Sequence, residues 1–462
     1  MGRYGRMGGP GRRPFFLRVA FAEAVFAAVG VMAVLKYIFN TDGSGLLNFT
    51  TSRSSFSDSD SPAYPPLTVG GRKIRGWGER SMLLTQKQCR KQYPLLYQPI
   101  DEAVARGEFE FLRGPDDYTA LVTARIKGNR MYIISSSNST QNSVNVLHRS
   151  AALHQIHKAL ITSPEPLPDT VFSFTPVDYP KNNSWVYSKW YDHTDILNYW
   201  PIPHFGHWSW PVSYIGPLYD AVNKISDIES TLPFDSKIDK MFWRGSTQFN
   251  PLQNGDLRIN LLKKTDGKEW ADTNQLKWTG LGHAKNIIQI EDVCRYKYVA
   301  YTEGITYSGR LPFHMLCESV MITTPINYMM HSTHLIKPMF SWVMGFESTK
   351  KMGDYGLKRM KKAWPKTFSP EEANAIFVSP DWSDLEETIM WLRDNPSIAR
   401  GIARRQKELY VEEGYLSESA EMCYWRETIR GWNKVAIPTG PGWDEEGMPW
   451  ESFALTGKTE WD

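Results

Sequence analysis

Cysteine is scarce in this chain: Cys89, Cys294, Cys317 and Cys423 are the only ones in 462 residues. None forms a C-x-x-C pair, which argues against a structural zinc site. An excess of either charge is also missing. Lys and Arg number 53 against 50 for Asp and Glu, a net charge of +3, so nothing in the balance points to nucleic acid. No sequence repeat is present. No long apolar run is free of charge either: the cleanest, Ala24–Leu35, is too short to span a bilayer alone.

What is present begins with that run. Residues 14–39 are mostly apolar, and extension past Ala24–Leu35 in both directions reaches spanning length by including Glu23 and Lys36. Lys36 can snorkel to an interface. Arg3, Arg6, Arg12, Arg13 and Arg18 precede the run with no acidic partner, which predicts a cytoplasmic N-terminus. The reading is a cytoplasmic tail (1–18), a signal-anchor transmembrane helix (19–39) and a luminal stem (40–75). A cleaved signal peptide and a buried helix are the alternatives. The stem is rich in Ser, Asp, Thr and Gly and cannot bury much apolar surface. Sequons at Asn48, Asn138 and Asn182 suit a luminal location, where disulfides can also form.

Beyond the stem, strand and helix patterns alternate. Met131–Ile134, Thr170–Thr175, Lys240–Arg244 and Ala373–Val378 suit strands, and Arg149–Thr162 and Leu257–Lys264 suit helices. A helix is also expected over 97–114, and Ser383-Asp384-Leu385-Glu386 reads as a capping box opening another that ends at Asn395-Pro396. This alternation predicts parallel sheets covered on both faces. Eighteen Trp residues supply core and flat rings suited to sugar faces.

The most telling stretch is Cys294–Ser319. Tyr298–Tyr301 suits a strand, Gly304 and Gly309 a tight loop, and Ser308 the N-cap of a helix carrying Leu311, His314, Met315 and Glu318. A strand feeding a helix through a small-residue loop is where α/β folds hold phosphates. Arg310 would add a fork of donors for a diphosphate. Arg244-Gly245-Ser246-Thr247 closes another strand with the same chemistry; a pairing of Arg244 with a core acid is the alternative. Asp178, past the end of Thr170–Thr175, is a candidate general base or a turn-forming residue.

Lys297-Tyr298, Glu303-Gly304, Ser308-Gly309-Arg310 and Cys317-Glu318-Ser319 together resemble the CAP10-like glycosyltransferases, glycosyltransferase family 90. That family includes fungal capsule-associated xylosyltransferases and protein O-glucosyltransferases. Phe242–Thr247 resembles its W/F-R-G-S signature, Asp178-Tyr179-Pro180 its D-Y-P or D-E-P segment, and Tyr187-Ser188-Lys189 and Trp208-Ser209-Trp210-Pro211 its F-S-K and W-S-W-P pieces. The resemblance covers about residues 80–430. Thr175 and Val177 depart from it, standing where the family often has Asn and His or Arg.

The resemblance implies a GT-B architecture, with two Rossmann-like lobes facing across a cleft. The lobes would be an acceptor-side one over 76–215 and a nucleotide-sugar-binding one over 216–410, with C-terminal helices over 411–462 returning to the first. It implies an inverting enzyme that moves xylose or glucose from a UDP-sugar to a hydroxyl of a glycan or glycoprotein. Asp178 would be the base. Arg244, Gly245, Ser246, Thr247, Gly304, Ser308, Gly309 and Arg310 would hold the donor's nucleotide and diphosphate. Tyr179, Trp208 and Trp210 are candidates for the acceptor or sugar platform, Trp208 and Trp210 equally for core. It implies a Cys294–Cys317 disulfide, and a Cys89–Cys423 bridge would tie the C-terminal helix to the first lobe; four free thiols is the alternative.

No cofactor is expected. The sole D-x-D, Asp58-Ser59-Asp60, lies in the stem and reads as a solvated patch, unlike the manganese pair of metal-dependent glycosyltransferases. His193, His204 and His207 are too irregularly spaced for a metal site. Lys350–Lys362 reads as a solvated basic face. The expected location is a Golgi or other secretory-pathway membrane, single-pass type II, with the catalytic domain in the lumen. A soluble luminal protein O-glycosyltransferase acting on folded domains is an alternative; the terminal Thr459-Glu460-Trp461-Asp462 is no retention tetrapeptide and weighs against it. A non-catalytic sugar-binding relative is another alternative.

Overall fold

The structure is a computed structural model that describes residues 80–112, 121–137, 143–191, 198–280, 283–346, 362–440 and 442–459, with two short strands at Thr68–Val69 and Arg72–Lys73. The expected anchor at 19–39, the stem's Asp58 and Asp60, Asn48, Asn138, His193 and most of Lys350–Lys362 lie outside the described residues. Among the described residues, no helix is long and apolar enough to cross a membrane.

Two six-stranded sheets organise the chain. The first is built from β1 (Val122–Lys127), β2 (Arg130–Ser136), β3 (Thr170–Phe174), β4 (Ser184–Val186) and β5 (Tyr199–Pro201), with the C-terminal strand Met448–Pro449 at its edge. The order is Met448–Pro449, β2, β1, β3, β4, β5. Only the β3–β4 and β4–β5 pairs are parallel; the others are antiparallel. The expectation of parallel sheets is therefore corrected for this half. The cause is local: Gly128 and Asn129 both take positive φ, 57° and 62°, and a two-residue turn of that kind folds β1 and β2 into a hairpin.

Helices α1 (Gln86–Gln92), α2 (Gln98–Ala105) and α3 (Ser143–Ile161) belong to this half. The helix expected over 97–114 stops at Ala105; Phe109–Phe111 is a strand paired in parallel with Ala436–Pro438. Trp185, Trp200, Trp425 and Trp432 are buried. Phe172 stacks on Trp185 at 4.0 Å, and Trp432 meets the edges of Phe111 and Trp200. These tryptophans are core, not sugar faces.

The second sheet is wholly parallel, in the order β7, β6, β8, β9, β11, β10. Its strands are β6 (Ile238–Gly245), β7 (Ala271–Gln275), β8 (Tyr296–Tyr301), β9 (Val320–Thr323), β10 (Pro338–Phe340) and β11 (Ala375–Phe377). Every residue of β9, β10 and β11 is buried, as strands covered on both faces require. The helices are α4 (Leu218–Thr231), α5 (Leu257–Thr265), α6 (Leu311–Met315), α7 (Leu385–Asp394) and α8 (Pro396–Lys407). Two sequence expectations fail here. Arg310, not Ser308, stands at the N-cap of α6, and Pro312 in its first turn with a C-cap at Leu316 limits it to five residues. No capping box opens α7: the Asp384 carboxylate accepts from the Ser379 N–H at 2.9 Å and from the Ser341 hydroxyl instead.

Helix α9 (Glu418–Val435) then crosses back to pack on α1, α2 and α3. Cys423 on it is bonded to Cys89 on α1, and Cys294 is bonded to Cys317 just past α6, so no described cysteine is free.

Candidate active site

The loops leaving β6 and β8 meet beside one another because those strands are neighbours in a parallel sheet. Trp243 Nε1 donates to Thr302 Oγ1 at 3.1 Å and ties them together. The glycines are demanded by packing. A Cβ on Gly245 would lie 2.6 Å from the Trp243 ring, and one on Gly304 would lie 2.9 Å from the Tyr307 carbonyl. One on Gly309 would collide with His204 at 2.7 Å and Trp210 at 2.8 Å. None of the three has positive φ, so close approach, not a left-handed turn, selects glycine.

The two expected arginines differ. The Arg244 guanidinium turns along the sheet to Asp272 on β7, donating to its carboxylate at 2.6 Å and its carbonyl at 2.7 Å. That is the core-acid pairing weighed in the sequence. Arg310 Nη1 donates to the Arg244 carbonyl, and no carboxylate acts on its guanidinium among the described residues. Burial lowers the Arg310 pKa, with Tyr214 and Tyr301 opposing.

Beside it lies a residue the sequence reading passed over. Arg258, at the start of α5, donates from Nε to the Glu303 carbonyl at 3.1 Å and from Nη1 to the Ser246 carbonyl at 2.8 Å. It is buried, and its pKa falls to about 9 through burial first and then the repulsion of Arg310. The nearby Glu303 carboxylate faces away, accepting from Asn327 N at 2.8 Å, Tyr328 N at 2.7 Å and Asn327 Nδ2 at 2.9 Å. Burial lifts its pKa to about 7 against those bonds. Two cations thus stand close together with only carbonyls and phenols as partners among the described residues, an arrangement suited to an anion. A basic residue one position into a helix that follows the glycine loop was the signal for Arg258.

Around them, Ser246 is buried and its Oγ accepts from Gln248 N at 3.3 Å, while the Thr247 carbonyl accepts from Asn250 Nδ2 at 2.8 Å. Ser308 N donates to the Tyr301 hydroxyl at 3.0 Å.

Asp178 meets the loop after β8 from the other half, on the loop after β3. Its Oδ1 accepts from the Tyr307 hydroxyl at 3.1 Å, and its carbonyl from Thr306 Oγ1 at 3.2 Å. Asp178 keeps an exposed face. Desolvation by the protein around the carboxyl raises its pKa, and the Tyr307 bond opposes the rise. The structure therefore joins Asp178, Arg310 and the β6 and β8 loops.

The aromatic candidates separate. Tyr179 beside Asp178 is 49% exposed. Trp208 is exposed on the outside of the first half, stacked over His154 at 5.6 Å with Lys158 above it at 5.2 Å. Trp210 is half-buried, packed on His204, Phe205 and Phe313 and over Gly309, which makes it a contact between the halves. His204 and His207 are buried, and no group of three or more His, Cys, Asp and Glu that could hold a metal exists among the described residues.

Comparison with known proteins shows what the chain resembles. The O-glucosyltransferase rumi of Drosophila pseudoobscura pseudoobscura is 23% identical over 294 residues, covering 58% of this chain and 61% of that protein. The chain thus spans less than two thirds of its relative's length. The glycosyl transferase family 90 model matches residues 102–356, a stretch containing Asp178, Arg258 and Arg310 and more than half of the sequence, and the chain belongs to that family.

Proposed function

We propose that this protein is an inverting, metal-independent glycosyltransferase of GT-B architecture that moves xylose or glucose from a UDP-sugar to a hydroxyl of a glycan or glycoprotein. One observation carries the reading: a single loop of one lobe, which ends in Arg310 and to whose Glu303 carbonyl Arg258 donates, also donates through Tyr307 to Asp178 of the other, and no carboxylate acts on either guanidinium among the described residues. Arg310 and Arg258 hold the donor diphosphate at the β6 and β8 loops. The acceptor hydroxyl gives its proton to the free Oδ2 of Asp178 as its oxygen bonds to the anomeric carbon. The anomeric C–O bond to the diphosphate breaks, and the electron pair leaves on the UDP, where the guanidiniums stabilise it. One displacement by one base inverts the centre, giving a β-linkage from an α-linked donor. Arg244 serves by fixing the loop: its side chain is spent on Asp272, and its carbonyl holds Arg310.

The relative is an O-glucosyltransferase, which favours glucose as the sugar; a protein O-glucosyltransferase is the second reading. The apolar stretch 19–39 supports a type II anchor in a secretory-pathway membrane, and the two disulfides agree with a luminal catalytic part. The test is incubation with a panel of UDP-sugars and measurement of released UDP. Release from UDP-xylose or UDP-glucose is expected; no release from any of them overturns the reading in favour of a non-catalytic relative.

A further inference from the structure

We propose that Tyr307 is a positioning residue for Asp178, so that the loop holding the donor diphosphate also sets the acceptor's base. The inference rests on the reading of Asp178 as the base.

The geometry has three parts. First, the contacts that secure Asp178 come from adjacent residues of one loop, between β8 and α6: Thr306 Oγ1 to its carbonyl at 3.2 Å and the Tyr307 hydroxyl to its Oδ1 at 3.1 Å. Second, the same loop ends in Arg310, and Arg258 donates to its Glu303 carbonyl at 3.1 Å. Third, Tyr307 has little freedom of its own. It is 6% exposed, its ring lies 5.4 Å from His204 and 6.4 Å from Tyr187, and its carbonyl accepts from Gly304 N at 3.2 Å. A displacement of the loop by a diphosphate must therefore carry the hydroxyl with it.

The chemistry gives this contact a direction. A phenol donating to Oδ1 favours the charged carboxylate and leaves Oδ2 for the acceptor's proton. The titratable groups facing Asp178 are Tyr307 from the donor loop and Tyr187 from beyond β4; His148 on α3 is held against the Pro176 backbone. No cation acts on the carboxyl among the described residues. The Tyr307 hydroxyl is thus what opposes the upward shift of the Asp178 carboxyl.

Tyr307→Phe removes the hydroxyl and keeps the ring. Read by UDP release from whichever UDP-sugar the parent turns over, it should lower kcat about 10–100-fold and move the acid limb of the pH profile up by about one unit. UDP binding by calorimetry should change less than about threefold, since the arginines remain. Hydrogen exchange supplies a readout without turnover. UDP should protect both 302–309 and 171–179 in the parent, and only 302–309 in Tyr307→Phe. An unmoved acid limb with parental kcat overturns the proposal, as does a lowered melting temperature with an unmoved limb. If Tyr307→Phe does not fold, Thr306→Val reads the same coupling, with a smaller loss of about 3–10-fold. Asp178→Asn run alongside separates the two levels. Parental turnover in that variant removes the base assignment itself. A dead Asp178→Asn beside a parental Tyr307→Phe removes only the positioning.

Discussion

The second sheet runs wholly parallel, whereas the first is parallel only from β3 to β5. The difference decides what each can bring to a cleft. A parallel sheet delivers all its carboxyl ends to one edge, so the β6 and β8 loops and the helix after β6 collect two cations there. The mixed sheet spends β1 and β2 on a hairpin and sends Asp178 from the exit of β3. The charges differ in the same way: among the described residues the second half holds two guanidiniums on which no carboxylate acts, and the first brings a carboxylate on which no cation acts.

The comparison breaks first if the acid is dispensable. Asp178→Asn should cut transfer about 10²–10⁴-fold while UDP binding stays near the parent's. Near-parental turnover would sink the division of labour between the halves.

The disulfides sharpen it next. Cys89–Cys423 joins positions 334 apart and fastens α9 to the first half, while Cys294–Cys317 closes a span of 23 within the second. On chain entropy, removal of the short link should cost about 3 kcal/mol and of the long one up to about 5 kcal/mol. Urea unfolding of the paired Cys→Ser variants checks the order; equal losses would contradict it.

Acid should act through buried histidines. His148 and His334 are lowered to about 4, His207 and His314 to about 3, and His204 and His331 well below normal, all chiefly by burial. A lowered histidine stabilises the fold above its unfolded pKa and loses that contribution as pH falls. Glu303 and Glu421, both raised to about 7 by burial, work oppositely and gain stability as they protonate. The histidines outnumber them, so melting temperature should fall from pH 6.5 to 4.5, each histidine contributing about 1.4 kcal/mol per unit until it titrates. A melting temperature that rises over that window would contradict the balance. The smallest expected effect is of chelation: EDTA should leave transfer unchanged, and loss restored by manganese would show that the guanidiniums do not suffice.

The legible parts were those set by local chemistry. The strands at 170–175 and 240–244, the break at Asn395-Pro396 and the Gly304–Arg310 loop stand in the sequence because branched and aromatic runs, proline and glycine act over a few residues. What was not legible depended on distant partners. The first sheet's edge strand, Met448–Pro449, pairs with Tyr132 and Ile133 more than 300 residues away. β1 was missed although the Gly128-Asn129 turn announced its hairpin. Arg244 and Arg310 look alike in sequence; only the register of β6 with β7, which sets Arg244 beside Asn274 and near Asp272, separates a paired arginine from an unpaired one. Arg258 was passed over because its partners are carbonyls, which leave no mark in a sequence.

That separation is the central claim, and UDP titration of three variants tests it most directly. Arg310→Ala should weaken UDP binding about 10–100-fold, the worth of a charge-assisted contact to phosphate. Arg310→Lys should recover part of the loss, because a point charge cannot replace the planar fork. Arg244→Ala, which loses an ion pair to Asp272, should bind UDP within about threefold of the parent while unfolding more readily. Parental UDP affinity in Arg310→Ala, or a larger loss in Arg244→Ala than in Arg310→Ala, would contradict the account.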